Sequence, residues 1–281
     1  MCMCLLYAGT NINKVYYEVL ALAYDYELFK SQIFRLTAID LSSYKERQMK
    51  RRIDALITKH GFKGYEEFVK AIEKDKALYD SFVAYLTINV SEFYRNPEQW
   101  KVLETVFLPD LIKKTGQLKI WSAACSTGDE PYSLVMLLSR YLPLNKIKIY
   151  ATDIDAQILD KARMGIYSDK SLAGLPSEFR DKYFKKINDK AFKIDDSIKK
   201  CVEFSRHNLL KDTYLKDCDL IVCRNVLIYF TEEAKLEIYV KFNKALKDQG
   251  ILFVGSTEQI VQPKELGFSS MHSFFYKKEI Y

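Results

Sequence analysis

A short apolar run followed by a turn of small residues is the feature that most constrains this fold. Leu118, Ile120 and Trp121 form an apolar run typical of a buried parallel strand. Residues 123–128 are small, so a ligand can approach the backbone closely, and Pro131 suits the first turn of a helix. This stretch therefore predicts a strand, an accessible turn and a helix.

A second predicted strand follows at residues 147–150 and leads to Asp153. Open α/β sheets bind ligands at the carboxyl ends of their strands, and a carboxylate on the second strand tip is the usual partner of a ribose diol. Only Gly128 is present, however, and not a G-x-G-x-x-G run. From these residues alone, a nucleotide-type site and an ordinary strand–turn–helix remain equally open.

Strand and helix patterns alternate through the rest of the chain. We predict strands near residues 118–122, 146–151, 202–205, 218–223, 250–254 and 272–276. With helices between them, this pattern favours an α/β fold with a doubly wound, mostly parallel sheet. The patterns before it are helical. We therefore divide the chain into an all-helical N-terminal domain (1–88), a linker and joining helix (89–108), and an α/β domain (109–281) with a small insert (184–204).

Positive charge is concentrated in the helical domain. Residues 41–63 carry a net charge of +5, and the whole 281-residue chain carries +6. At helical spacing, Lys45, Arg52 and Lys59 share one strip, with Arg51 beside Arg52. Apolar side chains next to this strip can pack inward: Met49, Ile53, Leu56 and Ile57. A solvated helix face and a docking surface for an acidic partner both fit this pattern.

Other classes of site find little support in the composition. The six cysteines include no C-x-x-C pair, which favours reduced thiols in a cytoplasmic protein. The three histidines are not spaced with other ligands as a metal set, so we expect no metal. The N-terminal apolar run is too short for a signal peptide or a membrane span, so we expect no membrane insertion.

Five segments together resemble one family. They are NVSEFYR (89–95), WSAACSTGDEPYS (121–133), ATDID (151–155), HNLL (207–210) and CRNVLIYF (223–230). In this order and spacing they are similar to the chemotaxis-receptor methyltransferases (CheR), and the resemblance runs from about residue 25 to the C-terminus. It implies a class I methyltransferase-like fold. It also implies S-adenosylmethionine as cofactor, S-adenosylhomocysteine as product, and receptor glutamates as methyl acceptors.

The same resemblance implies the residues of the site. The cofactor-binding set comprises Asn89, Ser91, Arg95, Glu130, Asp153, Asn208, Leu209, Asn225 and Val226. In this set Asp153 would accept the ribose hydroxyls, Asn208 would read the adenine edge beside Leu209, and Glu130 would accept from a hydroxyl or an ammonium group. A glutamate substrate is ionised at neutral pH and needs orientation rather than a base. Arg95 is therefore the leading catalytic candidate, with Tyr229 as a second contact.

The resemblance also implies the partners, namely the cytoplasmic helices of chemotaxis receptors. From the charge pattern we hypothesise that the basic residues of the helical domain dock them: Lys45, Arg51, Arg52 and Lys59. Some relatives hold a receptor C-terminal pentapeptide on the insert. Here residues 184–204 contain six lysines and no glycine, and a tight turn would place Asn188 or Asp189 at positive φ. We therefore expect no dependence on that pentapeptide.

Two other functions were weighed against this one. A non-catalytic regulator of the same fold would bind S-adenosylmethionine or its product without transferring a methyl group. A nucleic-acid methyltransferase is disfavoured, because the chain has neither a D-P-P-Y-type motif nor a Pro-Cys nucleophile. No recognition module accompanies the basic segment either, so we expect no nucleic-acid partner.

Overall fold

The computed structural model describes residues 25–114 and 117–280, and the chain divides into two compact units, Met1–Leu86 and Thr87–Tyr281. The first unit is helical in its described part, which confirms the predicted all-helical N-terminal region. Its first 24 residues lie outside that part. The helices are α1 (25–37), α2 (Glu46–Lys59), α3 (Tyr65–Lys74) and α4 (Lys76–Thr87), with a 3-10 turn at Leu41–Ser43.

Helix α2 buries one apolar strip, as its sequence pattern predicted. Met49, Ile53, Leu56 and Ile57 are all buried. Burial of each such side chain contributes roughly 1.5–3 kcal/mol, so this strip fixes the orientation of the helix within its unit. The helix ends at Lys59, and Gly61 has a φ of +77°, a conformation that glycine adopts without strain.

The second unit begins with an extended segment and one long interrupted helix. Helix α5 (Pro97–Val102) starts at Pro97 and continues through a π-helical turn (Leu103–Phe107) into α6 (Leu108–Lys114). Phe107 stacks on Phe275 with ring centroids 4.6 Å apart. This contact anchors the joining helix on the sheet described next.

A seven-stranded sheet forms the centre of the second unit, in the order β6-β2-β1-β7-β8-β10-β9. Its first five strands in that order are parallel, and β10 pairs antiparallel with both β8 and β9. The strands are β1 (Ile120–Ser122), β2 (Ile149–Asp153), β6 (Val202–Arg206), β7 (Cys218–Cys223), β8 (Leu246–Val254), β9 (Phe268–His272) and β10 (Phe275–Lys278). The fold class predicted from the sequence is confirmed.

Helices connect these strands and cover the sheet. Every residue of β1 and of β7 is buried, as parallel strands with both faces covered require. The remaining helices are α7 (Asp129–Leu138), α8 (Ala156–Met164), α9 (Ser177–Tyr183), α10 (Asp196–Lys199) and α11 (Glu232–Ala245). None of the helices within residues 25–114 and 117–280 has the length and apolar content needed to cross a membrane.

Three strand predictions differ from the structure by three residues or more, and one of them is β8, which begins at Leu246 rather than at residue 250. The strand predicted at 272–276 is a hairpin, in which Phe274 takes a φ of +70° between β9 and β10. The turn contains no glycine, asparagine or proline, so the pattern gave no sign of it. Strand β2 starts later than predicted, at Ile149, because Leu144–Lys146 forms a 3-10 turn, and it extends to Asp153.

A small antiparallel sheet accounts for the predicted insert. Its order is β3-β5-β4, with β3 at Ile166–Ser168, β4 at Phe184–Asn188 and β5 at Ala191–Ile194. The predicted insert, residues 184–204, does not include β3, and residues 202–204 belong to β6 of the large sheet. Asn188 and Asp189 stay outside the positive-φ region, contrary to expectation. A bulge between Lys186 and Asn188, together with a bond of 2.9 Å from Lys190 N–H to Asn188 Oδ1, closes the turn instead.

Candidate functional site

One pocket lies at the carboxyl ends of β1, β2 and β7, next to the segment that follows α4. Its non-atom space is about 580 Å³, part of it open to solvent. Eight of the residues singled out from the sequence line it: Asn89, Ser91, Arg95, Glu130, Asp153, Asn225, Val226 and Tyr229.

The turn after β1 brings backbone N–H groups to the pocket. Ser126 takes a φ of +48°, and its N–H donates to Asp153 Oδ2 over 2.8 Å. Gly128 has a φ of +88°, and a Cβ there would lie 3.0 Å from the Cβ of Ala162 and 3.1 Å from the Tyr132 ring. Glycine therefore lets helix α7 start close against α8.

Asp153 occupies the tip of β2, where the sequence placed it. Its Oδ2 accepts from Ser126 N–H, and its Oδ1 accepts from Asp155 N–H at 3.1 Å. Burial raises the pKa of Asp153 to about 6, although these backbone hydrogen bonds favour the ionised form. Each carboxylate oxygen can accept a second hydrogen bond, so the group suits a ligand diol.

Glu130, in the first turn of α7, is a second buried carboxylate in the pocket. The Ser122 hydroxyl donates to its Oε1 at 2.8 Å, and Arg224 Nη1 lies 3.9 Å from its Oε2. Burial raises the pKa of Glu130 to about 7, and the Arg224 charge opposes that rise. A cationic ligand group would therefore favour the ionised form of Glu130.

Arg224, in the CRNVLIYF segment, has a structural role that the sequence did not predict. Its Nη2 donates to Arg95 O at 2.8 Å, to Asn96 Oδ1 at 3.1 Å and to Gln99 Oε1 at 2.8 Å. The buried guanidinium also lies 4.7 Å from the centre of the Phe253 ring. Arg224 thus fixes the backbone that carries Arg95.

The extended segment after α4 is held by hydrogen bonds of its own. Asn89 Nδ2 donates to Asp155 Oδ2 and to Thr87 Oγ1, both at 2.9 Å. Both amide hydrogens are thereby used, and Asn89 can offer a ligand only its carbonyl oxygen. Asp129 is buried and accepts from the Thr127 hydroxyl, and burial raises its pKa to about 6.

Two predicted site residues do not line this pocket. Asn208 Oδ1 accepts from Leu210 N–H at 2.9 Å, and Asn208 N–H donates to Asp212 Oδ2 at 2.8 Å. These bonds close a local turn, and Leu209 is buried beside it. A bond of 2.9 Å from His207 N–H to Asp153 O ties the turn to β2. The adenine-binding role of Asn208 and Leu209 stays a prediction.

The four basic residues proposed for docking differ in their surroundings. Arg51 and Lys59 are exposed, and Lys45 is half-buried at the start of α2. Arg52 instead donates from Nη2 to Tyr85 O at 2.7 Å and stacks over the Tyr85 ring at 4.5 Å. Arg52 therefore serves the packing of the helical unit, and Arg51 and Lys59 present charge to solvent.

Comparison with known proteins matches both units to one family. Residues 89–275 match the model described as "CheR methyltransferase, SAM binding domain", and residues 24–87 match "CheR methyltransferase, all-alpha domain". A chemotaxis protein methyltransferase of Listeria monocytogenes is 43% identical over 255 residues, covering 90% of this chain and 97% of that protein. A chemotaxis protein methyltransferase of Borreliella burgdorferi is 32% identical over 273 residues, covering 92% of this chain and 96% of that protein. Chemotaxis protein methyltransferase 1 of Pseudomonas aeruginosa is 35% identical over 248 residues, covering 84% of this chain and 90% of that protein.

The parallel sheet, the pocket at its carboxyl edge and the match of residues 89–275 to a SAM-binding domain together identify a methyltransferase that uses S-adenosylmethionine. Within that class, the chain belongs to the CheR family of chemotaxis methyltransferases, since both of its units match that family.

The pocket residues fit this cofactor chemically. Ser126 Oγ is buried at the pocket and has no hydrogen-bond partner among the described residues, so a bound polar group would satisfy it. The carboxylates of Asp153 and Glu130 can accept from ribose hydroxyls and from the methionine ammonium group. Within residues 25–114 and 117–280, no three His, Cys, Asp or Glu side chains group as metal ligands.

We predict that cofactor affinity rises with pH between about 5.5 and 8. Burial raises the pKa of Asp153 to about 6 and that of Glu130 to about 7, so both carboxyls lose charge as the pH falls through these values. Where binding requires an ionised carboxylate, protonation of that carboxylate lowers the affinity by up to about tenfold for each pH unit below its pKa. Calorimetric titration with S-adenosylhomocysteine across this range measures the effect.

Glu130→Gln is the control for that titration. The variant lacks the carboxyl that has the higher pKa, so only Asp153 still titrates in this range. The affinity should therefore stop rising near pH 6 to 7, whereas that of the unaltered protein should continue to rise above pH 7. An affinity of the unaltered protein that stays constant from pH 5.5 to 8 would contradict the assignment of these carboxylates to the cofactor.

Proposed function

We propose that this protein transfers the methyl group of S-adenosylmethionine to glutamate carboxylates on the cytoplasmic helices of chemotaxis receptors. The products would be glutamate methyl esters and S-adenosylhomocysteine. The names of its relatives support the chemotaxis role. The observation that carries the proposal is an arginine, Arg95, in the lining of the same pocket as Asp153 and Asn225.

The proposed reaction needs little acid–base chemistry. A glutamate side chain has an ordinary pKa near 4.3 and is ionised at neutral pH, so it can act as the nucleophile directly. The bound cofactor supplies an electrophilic methyl group on a positively charged sulfur. The protein has to position the carboxylate, desolvate it and hold it in line.

Arg95 is suited to orient a carboxylate substrate. Its planar guanidinium can hold a carboxylate with two parallel hydrogen bonds. Its carbonyl oxygen accepts from Trp100 Nε1 at 3.0 Å and from Arg224 Nη2 at 2.8 Å, so the backbone that carries the side chain is fixed. Tyr229 also lines the pocket and would provide a second contact.

We predict that Arg95→Ala lowers methyl transfer far more than it lowers cofactor affinity. Loss of the orienting bonds should reduce turnover by about tenfold to a hundredfold, the scale of one hydrogen bond to a charged group. Arg95→Lys should recover only part of the rate, because an ammonium lacks the planar fork. The measurement uses labelled S-adenosylmethionine and a receptor-containing membrane fraction, and counts base-labile methyl groups.

Two outcomes of this assay would count against the proposal. Full turnover in Arg95→Ala would refute the orienting role. If the unaltered protein binds the cofactor tightly and no base-labile label appears on receptors that have unmodified glutamates, a non-catalytic binding protein would be the better description.

Receptor docking, in our proposal, relies on the exposed charges of α2. Arg51 and Lys59 are the exposed members of the proposed set, and acidic receptor helices would complement them. The small sheet would not be needed for a receptor tail. One of its two edge strands, β4, carries Lys185 and Lys186, and lysines on an edge strand discourage pairing with another strand.

We predict that the double reversal Arg51→Glu and Lys59→Glu raises the Michaelis constant for receptor by about threefold to tenfold, since exposed ion pairs contribute about 0.2–1 kcal/mol each. Cofactor affinity should not change. The same constants should be obtained with receptor that lacks its last five residues. The test is a set of initial rates at low and high salt, with both receptor forms.

The matched control is Lys113→Glu with Lys114→Glu, which makes the same change in net charge at two exposed positions of α6. An equal effect of both double variants would remove α2 from docking. A large rise in the Michaelis constant on deleting the receptor tail would show that the tail is needed.

A further inference from the structure

Glu258, which follows strand β8, is a buried carboxylate that accepts three backbone hydrogen bonds. Its Oε2 accepts from Asn225 N–H at 2.6 Å and from Gly255 N–H at 2.8 Å, and its Oε1 accepts from Leu227 N–H at 2.6 Å. Only 4% of the residue is exposed. One side chain thus joins the turn after β7 to the turn after β8.

Glu258 accepts two of these hydrogen bonds from a turn that contains a left-handed residue. Asn225 takes a φ of +60°, in the left-handed region, which asparagine adopts more readily than most residues other than glycine. Asn225 and Val226 both line the pocket, and Leu227 begins the 3-10 turn Leu227–Tyr229 that carries Tyr229. Bonds to the N–H groups on both sides of Val226 hold this conformation in place.

Gly255 makes room for the arrangement. A Cβ at this position would lie 2.4 Å from Glu258 Oε2, 2.8 Å from Asn225 N and 3.0 Å from Asn225 Nδ2. Distances this short cannot persist, so a larger residue would displace the carboxylate or the Asn225 turn. The sequence therefore supplies both the acceptor and the space it needs.

We propose that Glu258 is a positioning residue for the S-adenosylmethionine site, acting by holding Asn225 and Val226 in the conformation that faces the cofactor. This role rests on the proposed assignment of Asn225 and Val226 as cofactor contacts. Both carboxyl oxygens are required as acceptors, because an amide offers one acceptor oxygen and would turn its NH₂ group toward at least one N–H donor.

The charge of Glu258 also acts on its neighbours. It adds to the burial that raises the pKa of Glu130, and it opposes the lowering of the Arg224 pKa by burial. Arg224 in turn holds the backbone of Arg95. The three hydrogen bonds from Arg224 to that segment do not involve Glu258, so we expect them to remain when Glu258 is replaced.

The test compares Glu258→Gln with Asp219→Asn, a matched control. Asp219 is also 4% exposed, and it accepts from Lys119 N–H at 2.8 Å and from Lys247 Nζ at 2.8 Å. It lies near the start of β7, at the opposite end of the strand from the pocket. Both variants lose a buried carboxylate, but only one loses the bonds to the pocket turn.

We expect Glu258→Gln to raise the dissociation constant of S-adenosylhomocysteine by about tenfold to a hundredfold, the scale of a hydrogen bond to a charged acceptor. Asp219→Asn should leave that constant within experimental error, at a temperature where thermal unfolding shows both variants folded. The Michaelis constant for S-adenosylmethionine should rise with the dissociation constant, and turnover at saturating cofactor should change much less.

Gly255→Ala provides the second variant, and it decides the question if Glu258→Gln does not fold. It keeps the carboxylate but crowds it, and should also weaken binding. Unchanged affinity in Gly255→Ala, or in a folded Glu258→Gln, would overturn the proposal, as would an equal loss in Asp219→Asn. Cofactor binding is measured directly in these variants. A failure of glutamate methylation would therefore refute the proposed function but would not decide whether Glu258 positions the cofactor site.

Discussion

Buried carboxylates that accept hydrogen bonds from neighbouring turns and strands hold together the edge of the sheet where the site lies. Asp153 joins β2 to the turn after β1 through Ser126 N–H, and Glu258 joins the turn after β7 to the turn after β8. Glu130 links Ser122 of β1 to Arg224, just beyond β7. Parallel strands are joined by crossover connections and not by hairpins, so the turns at their carboxyl ends are not linked directly to one another. Carboxylates that bridge these turns give this edge of the sheet a defined shape.

This arrangement places negative charge where water is largely excluded. Burial raises the pKa of Asp153 to about 6 and that of Glu130 to about 7, which shows that desolvation outweighs the hydrogen bonds and the Arg224 charge. A ligand that brings hydroxyl and ammonium donors can supply the missing stabilisation. The pocket is therefore suited to a polar, partly cationic molecule, in agreement with the cofactor of the family.

The local pattern of the sequence predicted the parts of this site that depend on neighbouring residues. The strand, small-residue turn and helix from residue 118, and the acidic tip at Asp153, follow from periodicity and turn chemistry, and the sheet around them is confirmed. Long-range contacts were missed. Nothing near Glu258 in the chain shows that its carboxylate reaches Asn225, 33 residues earlier. Arg52 shares a helical strip with Lys59, and its bond to Tyr85 O, 33 residues later in the chain, could not be read from that strip.

A crystal structure of this protein with S-adenosylhomocysteine would show directly whether the pocket at the carboxyl ends of the strands binds the cofactor. We expect the nucleoside at the carboxyl ends of β1 and β2, with its ribose hydroxyls on Asp153 and a polar ligand atom on Ser126 Oγ. The amino-acid tail should lie against Asn225 and Val226. A ligand bound elsewhere on the chain, or in this pocket with neither Asp153 nor Asn225 in contact, would contradict it.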